Sequence, residues 1–263
     1  MSTILAASSE PRDAGVRDAL AELILSMADD EFVIGYWDSE WTGIAPMLEE
    51  DVAFSSIAQD EIGHARALYE LLADITGGDA DGMAYGRSPE AYRHARLLNH
   101  ARGDWAFTIA RRYLYDTADA IRLEALASGS YARLAQLVAK VRREETYHLL
   151  HMDAWIRRFA DGPPETRDRL ADALARLWPE AGSVLAPLDG DALLVREGIL
   201  AAPFADLRAR WIGHVGQTLR GLALPAPPSV EPPSDARTRR TEDFRWLWRQ
   251  FTMVARSEEG ATW

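Results

Sequence analysis

Two segments of this 263-residue sequence carry a glutamate that is followed three residues later by a histidine. The pairs are Glu61 with His64 and Glu145 with His148. In a helix, residues three apart lie on one face, so each pair can present a carboxylate and an imidazole to the same point. Such ligands suit iron or manganese better than a soft metal. One pair alone is weak evidence, but two pairs on separate helices indicate a metal centre.

Two further acids complete a candidate ligand set. If the first two predicted helices form a hairpin that turns near Pro46, Glu31 and Glu61 are each 15 residues from the turn. At 1.5 Å per residue, both lie about 22 Å from it and therefore at one level of the bundle. Asp116 and Glu145 straddle a second turn, near residue 130, in the same way. The predicted metal ligands are Glu31, Glu61, His64, Asp116, Glu145 and His148.

The charge of this set matches a pair of metal ions. Four carboxylates balance two Fe²⁺ ions, and an acid from each of two helices with Glu-x-x-His from the other two is the ligand pattern of di-iron carboxylate bundles. Asp60 and Glu144 each precede a predicted ligand, and we interpret them as hydrogen-bond partners of the histidine nitrogens. The competing interpretations are solvated positions for these two acids and a metal-free network of buried ion pairs for the six. No catalytic residue beyond the ligands is predicted.

Four long helices are predicted to position these residues. Apolar residues recur at three- and four-residue spacing, and Gly and Pro clusters separate the periodic segments. No segment shows sustained two-residue alternation, so an all-α fold is expected. The predicted helices are 13–41, 46–75, 104–126 and 131–159, and together they describe a four-helix bundle.

The remaining segments are predicted to decorate this bundle. Ser88-Pro89-Glu90 has the composition of a helix start. Additional C-terminal helices are expected at 165–177 and 203–222, followed by an extended proline-rich linker from Leu224 to Pro233. The aromatic segment that ends at Trp263 is expected to pack back on the bundle. We predict a single domain, 1–263, with a core bundle at 13–161 and a helical appendage at 162–263.

Composition excludes several classes of function. A net charge of −12 argues against a general nucleic-acid binder. The absence of cysteine excludes disulfides, thiolate zinc sites and iron–sulfur clusters within this chain. No apolar run has the length of a membrane span, and residues 1–12 lack the pattern of a secretion signal. A cytoplasmic protein without a nucleic-acid or membrane partner is expected.

The sequence also resembles the PaaC subunit family of the phenylacetate-CoA oxygenase, or ring 1,2-phenylacetyl-CoA epoxidase, within the ferritin-like di-iron superfamily. The similarity covers most of the chain. The segments that carry it are Ser39-Glu40-Trp41, Ala45-Pro46, residues 49–65, Asp104-Trp105-Ala106, residues 113–116, Tyr147-His148, Thr241-Glu242 and Trp263.

This resemblance implies a ferritin-like bundle that pairs with a homologous catalytic subunit, PaaA. The resemblance further implies electrons from a separate flavin and iron–sulfur reductase and insertion of one oxygen atom into the ring of phenylacetyl-CoA. PaaC-type subunits are implied to be structural relatives whose metal site has decayed. This sequence departs from that pattern, because residues 59–64 and 144–148, with Glu31 and Asp116, are similar to the intact motifs of the catalytic relative.

Three functional hypotheses follow. The first is an oxygenase subunit in aerobic phenylacetate catabolism that supports a catalytic homologue and carries its own di-iron site, with iron favoured over manganese. Electrons must then come from a partner, because a chain without cysteine cannot hold an iron–sulfur relay. The second is a purely structural subunit without a cofactor. The third is a stand-alone ferritin-like di-iron oxidase or ferroxidase.

Overall fold

The computed structural model describes residues 13–225, 228 and 231–257 of the chain. Over these ranges the protein is all-α and contains no strand, as the periodicity predicts. The α-helices of these ranges are α1 (Ala14–Ser39), α2 (Leu48–Thr76), α3 (Ala80–Tyr85), α4 (Trp105–Leu126), α5 (Ala132–Ala160), α6 (Pro164–Ala181), α7 (Asp191–Arg196), α8 (Phe204–Gly221) and α9 (Glu242–Phe251).

Helices α1 and α2 form the first hairpin of a four-helix bundle. The Asp13 carboxylate caps α1 by accepting a hydrogen bond from the Val16 amide at 3.1 Å. Gly77 ends α2 in the left-handed region, with φ of 74°. Within the hairpin, Gly35 of α1 lets the two helices approach closely, since a Cβ there would lie 2.9 Å from Glu61 Cβ.

Helices α4 and α5 form the second hairpin. Asp104 caps α4 by accepting from the Phe107 amide at 2.9 Å. Most of α4 is buried, because α5, α6 and α8 all pack against it. The two hairpins together give the all-α, ferritin-like bundle that the sequence predicts, with long-helix ends within a few residues of the expected ones.

The segment between α2 and α4 differs from the prediction. The helix start predicted at Ser88-Pro89-Glu90 begins only a single 3₁₀ turn, Pro89–Ala91, and no α-helix follows from it. The reason lies in two buried acids of α1. Asp29 accepts from the Arg93 amide at 2.5 Å, and Asp30 accepts from the Ala95 amide at 2.6 Å. These side chains satisfy backbone donors that a continuing helix would satisfy internally.

The C-terminal half covers the bundle with helices α6 to α9. The expected helices at 165–177 and 203–222 correspond to α6 and α8, whereas the short α7 was not expected. Helix α9 buries Phe244, Leu247 and Phe251, and the Phe251 ring lies 5.0 Å from that of Phe32 in α1. The prediction that the aromatic segment packs back on the bundle is therefore confirmed as far as Thr252, whereas residues 253–257 are exposed.

Some of the sequence expectations fall outside the described residues. These concern residues 1–12, part of the proline-rich linker (226, 227, 229 and 230) and Trp263. Within the ranges that are described, no helix combines the length and the apolar character needed to cross a membrane.

Candidate metal centre

Four of the six predicted ligands converge in the middle of the bundle. Glu31 from α1, Glu61 and His64 from α2, and Glu145 from α5 offer ligand atoms that all lie within 4.8 Å of one another. All four side chains are buried. His64 Nδ1 lies 3.3 Å from Glu31 Oε2 and 3.4 Å from Glu145 Oε1. This group can therefore hold a metal ion.

The other two predicted ligands lie at the edge of this group. His148 Nδ1 is 3.1 Å from Glu145 Oε1 and 3.3 Å from Glu61 Oε1. Its ring centroid is 6.3 Å from that of His64. Asp116 lies instead beside the buried guanidinium of Arg112, with 2.9 Å between Asp116 Oδ1 and Arg112 Nη2.

The outer nitrogen of each histidine meets an acid on the facing helix. His64 Nε2 lies 2.7 Å from Glu144 Oε2 of α5, and His148 Nε2 lies 3.2 Å from Asp60 Oδ2 of α2. Each acid therefore contacts the histidine of the opposite Glu-x-x-His pair. A carboxylate at one ring nitrogen fixes the tautomer and leaves Nδ1 directed at the interior.

Burial of so many carboxylates creates a surplus of negative charge. Burial and the neighbouring charge of Glu61 raise the pKa of Glu31 well above its usual range. Burial, together with Glu145 and Glu61, likewise raises the pKa of Asp116, although Arg112 opposes this change. Burial is the largest cause in both cases, because it disfavours the charged form of each carboxyl group.

The two histidines respond to the same acids. Burial lowers the pKa of His64, but Glu145 and Glu31 outweigh burial and raise it to about 12. Glu145 and Glu61 raise the pKa of His148 to about 11 against the same effect of burial. Protons therefore occupy the histidines in the metal-free centre, and a bound cation would displace them.

A buried carboxylate oxygen indicates that a cation fits the centre. Glu61 Oε2 is buried and accepts no hydrogen bond from the described residues. An unpaired buried oxygen of this kind is costly unless a cation or a donor compensates it. Oxygen and imidazole donors match iron and manganese chemistry.

Sequence reasoning missed three residues of the centre. Arg112 donates from Nη1 to Glu61 Oε1 at 2.6 Å, and Asp38 Oδ2 lies 3.3 Å from the same nitrogen. Tyr115 donates to Glu31 Oε1 at 2.8 Å. Helical spacing could have identified the first two, because Arg112 is four residues before Asp116 and Asp38 is seven after Glu31.

A cavity of about 360 Å³ adjoins the centre between α4, α5 and α8. Glu145 belongs both to the buried group and to the lining of this cavity. The other lining residues include Tyr113, Thr117, Leu149, Arg157 and His214. Its walls are mostly apolar, and its lining also includes two arginines, Arg142 and Arg157, and two acids, Glu145 and Asp153.

Comparison with known proteins identifies the family. The whole chain, residues 1–263, matches the family PaaA_PaaC, described as phenylacetic acid catabolic protein. The chain belongs to this family. It is 30% identical over 209 residues to the C subunit of 1,2-phenylacetyl-CoA epoxidase from Escherichia coli (strain K12), a match that covers 79% of this chain and 84% of that protein.

A second relative is named as another component of the same enzyme. The chain is 25% identical over 186 residues to the A subunit of 1,2-phenylacetyl-CoA epoxidase from Escherichia coli (strain K12). This match covers 70% of the chain and 60% of that relative. Both matches favour an epoxidase component over the stand-alone ferroxidase that the ligand pattern also allowed.

Proposed function

We propose that this chain is a PaaC-type subunit of a multicomponent phenylacetyl-CoA 1,2-epoxidase in aerobic phenylacetate catabolism. The observation that carries the proposal is the match to the epoxidase C subunit over 84% of that relative's length, together with a family match along the whole chain. The expected partner is a homologous catalytic subunit of the PaaA type, since the two named relatives are the A and C subunits of one enzyme.

We further propose that the buried Glu–His group binds iron. The convergence of Glu31, Glu61, His64 and Glu145 supports this assignment, as does the unpaired oxygen of Glu61. Bound iron would supply redox chemistry toward oxygen. The chain's own residues bind and orient it, and Glu144 and Asp60 hold the histidine rings in place.

The remaining components of the reaction must come from outside this chain. A separate reductase is proposed as the electron donor, because a chain without cysteine holds no iron–sulfur relay. An aromatic acyl-CoA is proposed as the substrate of the complex. The cavity beside Glu145 gives small molecules a route toward the centre.

Metal analysis of two variants tests the iron assignment. Glu61→Ala removes a carboxylate of the buried group, so we expect it to lose bound iron while it keeps the helical fold. His151→Ala is the control, because His151 lies on α5 outside the buried group and pairs with Glu50 of α2 at 2.8 Å. Iron per chain is measured by elemental analysis, and helicity by circular dichroism.

Three outcomes of this experiment would contradict the iron assignment or the assay. Equal iron content in Glu61→Ala and wild type would place the metal elsewhere. Loss of iron in His151→Ala would show that the assay reports general damage to the bundle. Iron-free wild-type protein, purified with its partner subunit, would support the structural role without a cofactor.

A further inference from the structure

A permanent positive charge lies among the predicted ligands. Arg112 is fully buried on α4, and an arginine stays protonated in proteins. Its Nη1 is 2.6 Å from Glu61 Oε1, and its Nη2 is 2.9 Å from Asp116 Oδ1. The guanidinium therefore contacts two of the four carboxylates that a pair of metal ions would use.

The two ends of the centre therefore differ in their contacts with Arg112. At one end, Glu31, Glu61, His64 and Glu145 converge. Arg112 contacts Glu61 only through Oε1, and Glu61 Oε2 accepts no hydrogen bond from the described residues. At the other end, His148 Nδ1 lies 3.3 Å from Glu61 Oε1, the same oxygen that accepts from Arg112. A second metal ion held by His148 and Asp116 would share its carboxylates with a fixed cation. Two cations so close in a dry interior repel strongly.

Neighbouring residues hold Arg112 in this position. Asp38 Oδ2 lies 3.3 Å from Arg112 Nη1, and the guanidinium carbon lies 5.8 Å from the centre of the Tyr115 ring. Moving the side chain away would leave the buried carboxylate of Asp38 without this contact, which is unfavourable. Arg112 is therefore a fixed part of the centre.

We propose that Arg112 takes the place of the second of two metal ions, so that this centre binds a single divalent metal ion. That ion is bound by Glu31, Glu61, His64 and Glu145, and Asp116 is neutralised by Arg112. The inference rests on the proposed function only in that it requires a metal in the buried group. It departs from the two-iron centre that the ligand count alone indicates.

Titration with Co²⁺ under anaerobic conditions tests the inference without any measurement of activity. The number of ions per chain is determined by elemental analysis after gel filtration and by the visible absorption of bound Co²⁺. Wild type is expected to bind one equivalent. Arg112→Met keeps an unbranched aliphatic stem but removes the charged group, so it is expected to bind two. Arg112→Lys is the matched control, because it keeps the charge and should stay at one.

A second variant tests the same inference without disturbing Arg112. Asp116→Asn should still bind one equivalent, with its Kd within a factor of two of wild type, because Asp116 does not touch the single ion. In the Arg112→Met background, Asp116→Asn should reduce two equivalents to one. If Arg112→Met fails to fold, Asp116→Asn alone decides.

The outcomes separate this inference from the proposed function. Two equivalents in wild type, one equivalent in folded Arg112→Met, or loss of the ion in Asp116→Asn would each overturn the inference while the centre remained a metal site. No Co²⁺ and no iron in wild type would overturn the metal assignment itself, and the inference with it.

Discussion

At the scale of single residues, the acids of α1 show how buried charges are placed in this interior. Three consecutive acids of α1, Asp29, Asp30 and Glu31, are all buried. Asp29 pairs with Arg87, Asp30 with Arg122 at 2.7 Å, and Glu31 contacts His64. Three consecutive residues of a helix point in three different directions, so this part of α1 is enclosed by protein on all sides. Of the three acids, only Glu31 faces the metal centre.

His94 is also buried, but its pKa is lowered, whereas the pKa of each histidine in the metal centre is raised. It is fully buried, its Nε2 lies 3.1 Å from Asn99 Oδ1, and its ring centroid is 4.2 Å from that of Phe244. Burial lowers its pKa well below the usual value, and the positive charges of Arg240, Arg237 and Arg87 lower it further. His94 is therefore neutral in the folded protein, whereas in the unfolded chain it gains a proton below about pH 6.5.

This difference predicts a dependence of stability on pH. Because the folded-state pKa is depressed, the contribution of neutral His94 is complete above about pH 6.5 and is lost as the pH falls, by up to about 1.4 kcal/mol per unit. His94→Gln should therefore show a shallower loss of unfolding free energy between pH 7.5 and 5.5 than wild type, measured by urea denaturation. His214→Gln, at an exposed position, is the control and should keep the wild-type slope. Parallel slopes for His94→Gln and wild type would contradict the assignment.

At the scale of elements, the contact between α1 and α2 sets the distance across the centre. Gly35 packs on α2 so closely that an added Cβ would meet Glu61 Cβ at 2.9 Å, Ile62 Cγ1 at 3.0 Å and the Ala58 carbonyl oxygen at 3.2 Å. Two of these contacts are with the backbone-proximal atoms of α2, which cannot rotate away. The helices themselves would have to separate.

Gly35→Ala should therefore destabilise the protein by about 1–3 kcal/mol, as overpacked cores do. The matched control is Gly213→Ala in α8, where an added Cβ meets nothing within 4 Å. In that position the better helix propensity of alanine should stabilise the protein by up to about 1 kcal/mol. Both free energies of unfolding are measured by urea denaturation. If Gly35→Ala were as stable as Gly213→Ala, α1 and α2 could move apart without loss of stability, which would contradict this prediction.

At the scale of the whole molecule, α2 and α5 leave apolar side chains exposed. Leu48 and Val52 of α2 are 76% and 65% exposed, and Tyr147 and Leu150 of α5 are 74% and 60% exposed. The two helices are joined nearby by the His151–Glu50 contact. We call these four side chains the α2–α5 patch. Exposed apolar groups of this size on neighbouring helices are typical of protein–protein interfaces.

We expect the partner subunit to cover the α2–α5 patch. Leu48→Glu and Tyr147→Glu would each place a charge in the interface, so each should weaken binding of the homologous subunit by tenfold or more. Val254→Glu is the control, because Val254 is 55% exposed but follows α9. Binding is measured by isothermal titration calorimetry with the purified partner. Unchanged affinity in both patch variants, or a loss confined to Val254→Glu, would place the interface elsewhere.

Much of this architecture could be predicted from the sequence because it depends on helical geometry. The period of apolar residues, the capping acid Asp104 and the terminating Gly77 are local signals, and the observed helices follow them. The common level of Glu31, Glu61 and Glu145 follows from the rise per residue and the positions of two turns. Those regularities hold in any helical hairpin, so no tertiary information was needed.

Other features were decided only by the tertiary structure. The path of residues 88–95 depends on Asp29 and Asp30, which belong to a helix far away in sequence. The crossed contacts of His64 with Glu144 and His148 with Asp60 depend on how α2 faces α5.

The position of Arg112 is the clearest example. Its sequence spacing places it near Asp116, but whether a buried arginine contacts the ligands or turns away depends on the packing of four helices together. Helical geometry is local and can be calculated along the chain, whereas the pairing of buried charges is a property of the assembled interior, where each group takes the nearest available partner.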